Sequence, residues 1–388
     1  MNLIKQKTYS SWLPSIFLVL IFLSEGFGKI AEKGWVDKSD IAKWVKFSIL
    51  LLITPYLLKY WKKSIWFLIL GLIFFLGQWT ITYGFKSEMI LTFSKYLFPI
   101  ALLILFNKFN STRETWGLLF NTFRIVLIVN SVLILLGFIF DIDWFYTYKW
   151  GRFGFSGLLN VSATATYFYV IGQLCFLLWY KVDFFKKWST YLLIIATVLL
   201  GTKGALLGLI ATLLAYFIFY STLSPRKQKM IVFGFLGIGL LLFYMFFFQF
   251  GIFNEIREEE GLITSILSMR NELLLEETLP FIQQEWTWVN YLFGGYDDIY
   301  SRTQMGFLDV FYFWGILGGL LYLFIYYKEF VLFKLSIVGI YTVCVLLIIV
   351  FLSGNFFENA SVAIYMIVFQ KAISIYESSP ILKSFPKS

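Results

Sequence analysis

Residues 254–319 read NEIREEEGLITSILSMRNELLLEETLPFIQQEWTWVNYLFGGYDDIYSRTQMGFLDVFYFWGILGG. Up to Arg302 the stretch is acidic, with ten carboxylates against three arginines, and from Thr303 onward it turns apolar. It is the only long segment that does not itself look like a membrane span. On either side, apolar runs of roughly 20 residues, long enough to cross ~30 Å of hydrocarbon as helices, follow one another through short links. Such runs are expected near 12–27, 43–60, 64–84, 89–106, 117–140, 157–180, 189–202, 205–223, 231–253, 303–327, 335–353 and 358–376. Hydrophobic residues make up 59% of the chain, charged residues 14%, and mean hydropathy is +0.77. That balance excludes a soluble globular fold. The expected fold class is all-α: a polytopic membrane protein of about twelve transmembrane helices, in one domain over 1–388, with 254–302 as a large extracytoplasmic loop.

The net charge of +9 belongs to topology, not to nucleic acid. Basic residues sit in alternate links, at Lys59, Lys62 and Lys63, at Lys108 and Arg113, at Lys181, Lys186 and Lys187, at Arg226, Lys227 and Lys229, at Lys328 and Lys334, and at Lys383 and Lys387. By the positive-inside rule both termini are cytoplasmic and the acidic loop lies outside. The first outer link is less tidy, because Lys29, Lys33 and Lys38 accompany Glu32, Asp37 and Asp40. Trp12, Trp61, Trp66, Trp116, Trp144 and Trp188 fall near span ends and read as interfacial anchors. Cys175 and Cys344 lie in apolar runs, where a thiol acts as a small hydrophobe.

Polar features cluster at the outer ends. The link DIDWFYTYKWGRFGFSGLLN (141–160) sets Arg152 among aromatic rings. That suits a sugar-bearing or anionic ligand, or equally an interfacial belt with snorkelling cations. LGTKGA (200–205) interrupts apolar sequence after a run too short for a full crossing. Lys203 there either faces a cavity or partner or snorkels to water. Arg270 either pairs with the acids around it or is aimed at an anionic ligand. Asp309 lies about a turn and a half inside its span, where a carboxylate is costly unless paired or functional. Gly315, Gly318 and Gly319 read as helix-packing positions. Lys95, Glu25, Asn355 and Glu358 are further polar groups that either complete a cavity or pair among themselves.

The chain has no histidine and no cysteine pair, which leaves no ligand set for zinc or haem and no histidine-based catalysis. No metal or cofactor is expected. Nor is there a phosphate loop of the Gly-rich Lys-Ser/Thr form. Chemistry here must rest on carboxylates, Arg/Lys electrostatics, Tyr or substrate groups, a profile that suits departure of an anionic phosphate leaving group.

Three pieces, in order and on one predicted face, resemble the Wzy-type O-antigen and capsular polysaccharide polymerases, relatives of the O-antigen ligases. RFGF (152–155) through Asn160 is similar to that family's Arg-containing segment, with Leu159 in place of a proline. GTKGALLG (201–208) is similar to its Thr-x-Ser-Arg-Gly-Ala segment, with Lys203 in the cationic position. Ser268-Met269-Arg270, LFGG (292–295) and QMGFLD (304–309) are similar to its outer loop and Glu-x-Asp-x-x-Asp re-entry, with Gln304 and Gly306 where the first two acids stand. The ligases use an outer-loop histidine that is absent here.

The resemblance implies a GT-C-like fold and an inverting, metal-independent glycosyl transfer at the outer face of the bacterial inner membrane, within capsule, exopolysaccharide or lipopolysaccharide synthesis. A growing glycan would pass from its polyprenyl pyrophosphate carrier, undecaprenyl pyrophosphate, onto a lipid-linked repeat unit. Arg152, Lys203 and Arg270 would bind the pyrophosphate, with Asn160 and Lys95 as further substrate-binding groups. Asp309 would orient or deprotonate the acceptor hydroxyl, or position an arginine. Expected partners are the polyprenyl-pyrophosphate-linked oligosaccharide, membrane lipid, a flippase and a chain-length regulator, but no nucleic acid. Alternative readings are an O-antigen ligase-like glycosyltransferase, a lipid-linked glycan flippase or transporter, and a non-catalytic member of an assembly complex.

Overall fold

The structure, a computed structural model, describes residues 2–32, 41–59, 61–81, 86–108, 113–148, 152–248, 252–297 and 302–378. Lys33, Lys38, Asp37, Asp40, Lys149, Trp150, Gly151, Asp298, Lys383 and Lys387, named above, lie outside the described residues, as does the side chain of Trp61. Every predicted span carries a helix. In chain order these are α1 (Asn2–Glu32), α2 (Ile41–Lys59), α3 (Trp61–Ile81), α4 (Ser87–Phe106), α5 (Arg113–Phe140), α6 (Ser162–Tyr180), α7 (Trp188–Leu199), α8 (Lys203–Phe219) and α9 (Pro225–Phe248). The acidic stretch is itself helical, as α10 (Ile252–Glu260), α11 (Leu262–Leu267), α12 (Arg270–Glu272), a π turn over Leu273–Thr278, α13 (Leu279–Glu285) and α14 (Trp288–Phe293). The chain closes with α15 (Gly306–Phe330), α16 (Ile337–Ser353) and α17 (Ala360–Ser378).

Among the described residues six helices are long and apolar enough to cross a membrane, lying within α1, α3, α4, α5, α6 and α15. Their outward faces carry bare aliphatic and aromatic side chains such as Leu68, Leu72, Ile125, Ile139, Leu320 and Phe324. In water such a surface would aggregate, whereas in hydrocarbon it is the solvated side. The protein is an all-helical membrane protein. Its centre is α6 and α17, buried along almost their whole length, with α1, α4, α5 and α8 packed around them.

The links gather at two ends. At one end Lys63 bridges Glu329 at 2.6 Å, Arg113 lies over Trp179 and Lys181 over Tyr376. At the other, Lys46 bridges Glu25 at 2.6 Å and Arg302 bridges Glu358. Three expectations are corrected. Lys29 lies within α1 and is 4% exposed, not a loop charge. Trp116 is 1% exposed, so it packs inside the bundle and is no interfacial anchor. The expected span over 157–180 starts its helix only at Ser162, because Gly157 takes φ +62° and Val161 is extended.

α15 is broken at Gly315 (φ 68°, ψ −173°). The 292–295 segment enters that break, so that a Cβ on Gly315 would lie 2.4 Å from Gly294 N and Leu292 C. Gly315 therefore admits backbone where the sequence predicts helix packing, while Gly318 keeps the packing role against Ile73 of α3. Asn290 holds the same segment to α3, donating to Gly77 O at 2.9 Å and Thr80 Oγ1 at 2.7 Å. Left-handed backbone and steric overlap act together at Gly315, so Gly315→Val should cost on the order of 3 kcal/mol. Fluorescence-detected size exclusion and thermal unfolding in detergent check this, with Gly234→Ala, which meets nothing within 4 Å, expected to behave as the native chain.

Candidate functional site

Between α5 and α6 the chain forms a small non-helical fold. Tyr146 and Phe155 pair as an antiparallel bridge, Thr147 N donates to Gly154 O at 2.8 Å, and Ser156 N donates to Phe145 O at 2.7 Å. This fold is fastened to the turn after α7. Phe155 N donates to Leu199 O at 2.8 Å and Thr147 Oγ1 to Leu200 O at 3.1 Å. The approach is so close that a Cβ on Gly201, itself at φ +69°, would sit 2.3 Å from Phe153 O. Arg152 and Lys203, fifty residues apart in sequence, are thereby held side by side.

The underside is held by buried polar groups. Lys29 Nζ donates to Ser156 Oγ at 2.6 Å, Gly157 O at 2.8 Å and Leu159 O at 3.2 Å. Asn130 donates to Ser156 O at 3.1 Å and accepts from Leu158 N at 2.9 Å. Non-helical backbone inside an apolar bundle stands only when its carbonyls and amides find such partners.

The acidic stretch delivers the third cation. Ser268 and Met269 both take left-handed φ, +56° and +65°, so the chain reverses between α11 and α12. Met269 N donates to Thr264 O at 3.0 Å and Asn271 Nδ2 to Thr264 Oγ1 at 2.7 Å, which locks the turn. Arg270 then reaches the end of α16, donating to Leu352 O and, at 3.3 Å, to Ser353 O. Those last-turn carbonyls form the negative end of the helix dipole and favour a cation.

The three cations meet at a cavity of about 370 Å³ whose walls include Tyr148, Thr202, Gln304 and Ser353 as well as Arg152, Lys203 and Arg270. Among the described residues lining it there is no carboxylate. Each cation is instead shared with neutral groups. Arg152 stacks on Tyr148, centroid 3.8 Å, and donates to its hydroxyl at 3.0 Å. Phe253 of α10 is sandwiched, with Arg152 at 4.4 Å from its ring centroid and Lys203 at 3.4 Å. Lys203 also donates to Ser265 O and, at 3.3 Å, to Ser268 Oγ. Burial pulls the Arg152 and Arg270 guanidinium groups below the usual arginine range, opposed at Arg152 by Tyr148 and at Arg270 by Tyr167 and Asp309. Both stay charged, since guanidinium is not deprotonated in proteins. Arg270 Nε is buried with no hydrogen-bond partner among the described residues. A cavity lined by three partly desolvated cations and, among the described residues, by no carboxylate suits an anion, whose attraction would offset the solvation that burial removed.

The remaining candidates lie elsewhere. Asp309 is 4% exposed and does not line the cavity. Its Oδ1 accepts from Thr303 Oγ1 at 2.8 Å, and it sits within electrostatic range of Arg302 and Arg270. Lys95 stands apart because α4 packs on α2, α3, α15 and α17, whereas the cavity walls come largely from α6, α8, α11 and the end of α16. Asn160 is likewise not among the lining residues. Glu25, Asn355 and Glu358 pair rather than complete the cavity: Glu25 with Lys46 and Ser361, the other two with Arg302. Sequence reasoning passed over Tyr148 and Phe253 as site residues. Tyr148 stood in the aromatic link already singled out, but Phe253 gave no signal, being one aromatic among many at the end of an apolar run.

If Lys29 underpins the Arg152 segment, Lys29→Met removes an ammonium shared by three buried oxygens, of which Leu159 O keeps Ser156 Oγ as a donor at 2.8 Å. The substitution should lower stability by about 1–3 kcal/mol, measured as a fall in Tm in detergent, while Lys186→Met at the exposed pair with Asp183 should cost less. Comparison of the chain with protein-family models, with curated proteins and with solved structures finds no match.

Proposed function

We propose that this protein is a polysaccharide polymerase that transfers a growing glycan from polyprenyl pyrophosphate onto a sugar hydroxyl of a lipid-linked repeat unit. The observation that carries the reading is the convergence of Arg152, Lys203 and Arg270 on one cavity that, among the described residues, has no lining carboxylate. A pyrophosphate group is a polyanion of matching charge, and guanidinium forks bind its oxygens in pairs. The fuller architecture belongs to the same proposal: about twelve spans, a GT-C-like arrangement, termini in the cytoplasm and the cavity at the outer face of a bacterial inner membrane.

In the reaction the acceptor oxygen attacks the anomeric carbon while the bond to the pyrophosphate oxygen breaks, with inversion. The bonding pair leaves on the diphosphate, and the acceptor proton passes to that diphosphate or to solvent. Arg152, Lys203 and Arg270 stabilise the departing charge, which is where preorganised cations contribute most. Asp309, set back from the cavity with Arg270 and Arg302 in electrostatic range, acts as the group that positions arginine, not as the base. Gln304 at the cavity wall is the side chain placed to meet the acceptor sugar.

Purified protein reconstituted with a lipid-linked repeat unit from its own host should give a ladder of products on a gel without added nucleotide. Arg270→Ala and Lys203→Ala should each cut the rate about 10- to 100-fold, the loss expected for a charge-assisted contact of ~1.5–3 kcal/mol. Arg152→Lys should also lose activity, since an ammonium cannot reproduce the stacked fork. Asp297→Asn, at the exposed pair with Lys86, should not. Folded protein that makes no ladder but moves the substrate between leaflets would overturn the proposal in favour of transport.

A further inference from the structure

The short helix α11 has the wrong polarity for a segment lying in water. Its polar side chains face the protein. Thr264 and Ser265 are buried, Ser265 Oγ donates to Phe253 O at 2.7 Å, and Thr264 Oγ1 accepts from Asn271 at 2.7 Å. Its apolar side chains are the bare ones: Leu262, Ile266 and, just past the helix, Met269 are exposed, and Ile263 is 69% exposed. A surface helix in water does the opposite. α10, one residue upstream, keeps the ordinary pattern, burying Phe253 and exposing Glu255, Glu258, Glu259 and Glu260. The reversal begins at Gly261, whose φ of +91° turns the chain between the two helices.

The helices that α11 rests on are short. α8 and α16 have 17 residues each, about 25 Å at ~1.5 Å per residue against ~30 Å of hydrocarbon. Their far ends adjoin basic residues, Arg226, Lys227 and Lys229 for α8 and Lys334 for α16, which belong at the membrane surface. The shortfall therefore lies at the cavity's end. There the α11–α12 turn ties the two helices together, since Ser265 O accepts from Lys203 at the start of α8 and Arg270 donates to Leu352 O and Ser353 O at the end of α16. Ile266 and Leu352 wall the same cavity, which sets α11 beside the last turns of α16, where Ile348 and Phe351 belong to the bare apolar surface.

We propose that α11 lies in the hydrocarbon edge of the membrane, with Leu262, Ile263, Ile266 and Met269 against lipid acyl chains, while α10 stays in water. The depth this requires matches an interfacial helix, whose apolar face sinks ~5–10 Å into the boundary between head groups and acyl chains. Four exposed side chains cannot supply the ~800 Å² per partner that a stable protein interface buries, so lipid and not a second protein covers this face. The placement holds for a polymerase and a transporter alike. Ile266, which also lines the cavity, then borders lipid on one side and the cationic site on the other.

Site-directed spin labelling of the full chain in liposomes tests this depth. The background carries Cys344→Ser, which removes the exposed native thiol. Oxygen concentrates in hydrocarbon and a nickel chelate stays in water, so the ratio of their access to a nitroxide reports its surroundings. At Ile263→Cys that ratio should exceed severalfold the ratio at Glu259→Cys in α10, and lie toward that at Leu320→Cys on the exposed face of α15. Leu262→Cys repeats the measurement should the first label disturb the turn. A ratio at 263 equal to that at 259 puts α11 in water and overturns the proposal. Exclusion of both reagents from 263, with 320 still open to oxygen, overturns it in favour of a protein partner.

Discussion

Hydrogen-bond satisfaction of non-helical backbone inside an apolar bundle is the constraint on which this architecture depends. Between α5 and α6 the chain leaves helical geometry while still enclosed by other helices, where water is not available to replace the lost ladder. Lys29 and Asn130, from two different helices, supply the donors and acceptor that the 156–159 backbone needs. Once that segment is supported, its Phe155 amide can engage the end of α7. α7 can then stop after twelve residues, and α8 can begin with a lysine below the surface of the bundle. Removal of the support would loosen Arg152 and Lys203 together.

A second consequence concerns how like charges are tolerated. At the cavity, aromatic faces and helix-end carbonyls hold the cations, and both are neutral partners that an anion can outcompete. Carboxylates would have neutralised the site for good. Among the described residues none of the acids of the 254–302 stretch lines the cavity, so a strongly acidic sequence borders a cationic site without neutralising it.

Apolar run length revealed where the helices lie, and the brevity of the run before Gly201 marked Lys203 as a lysine that either faces a cavity or snorkels to water; it lines the cavity. Arg152, Lys203 and Arg270 were legible as separate polar exceptions in apolar or acidic surroundings, but their convergence was not, because it depends on backbone contacts between residues some fifty to a hundred positions apart. Lys29 misled because a lysine near a span end looks the same whether it snorkels outward or turns inward. Trp116 misled for a similar reason. The break at Gly315 was read as packing, since glycine serves both purposes and only the partner backbone of 292–295 distinguishes them. Asp309 was correctly marked as too deep to be solvated, but the arginines near it come from the loop and could not be assigned from spacing.

The position of Phe253 between Arg152 and Lys203 makes occupancy of the cavity an exchange and not a simple filling. An anion bound there as proposed would compete with a π face that already contacts Arg152 and Lys203. Apparent affinity is then the intrinsic affinity scaled by the fraction of time that the ring stands aside. A monovalent anion such as chloride recovers little more than the ring provided and leaves the balance nearly where it was. On the proposed reading, an anion with several oxygens spread over two phosphorus centres would engage all three cations at once and shift it decisively. On that reading the ring would work as a threshold, biasing an otherwise indiscriminate positive pocket against the abundant small ions of the medium.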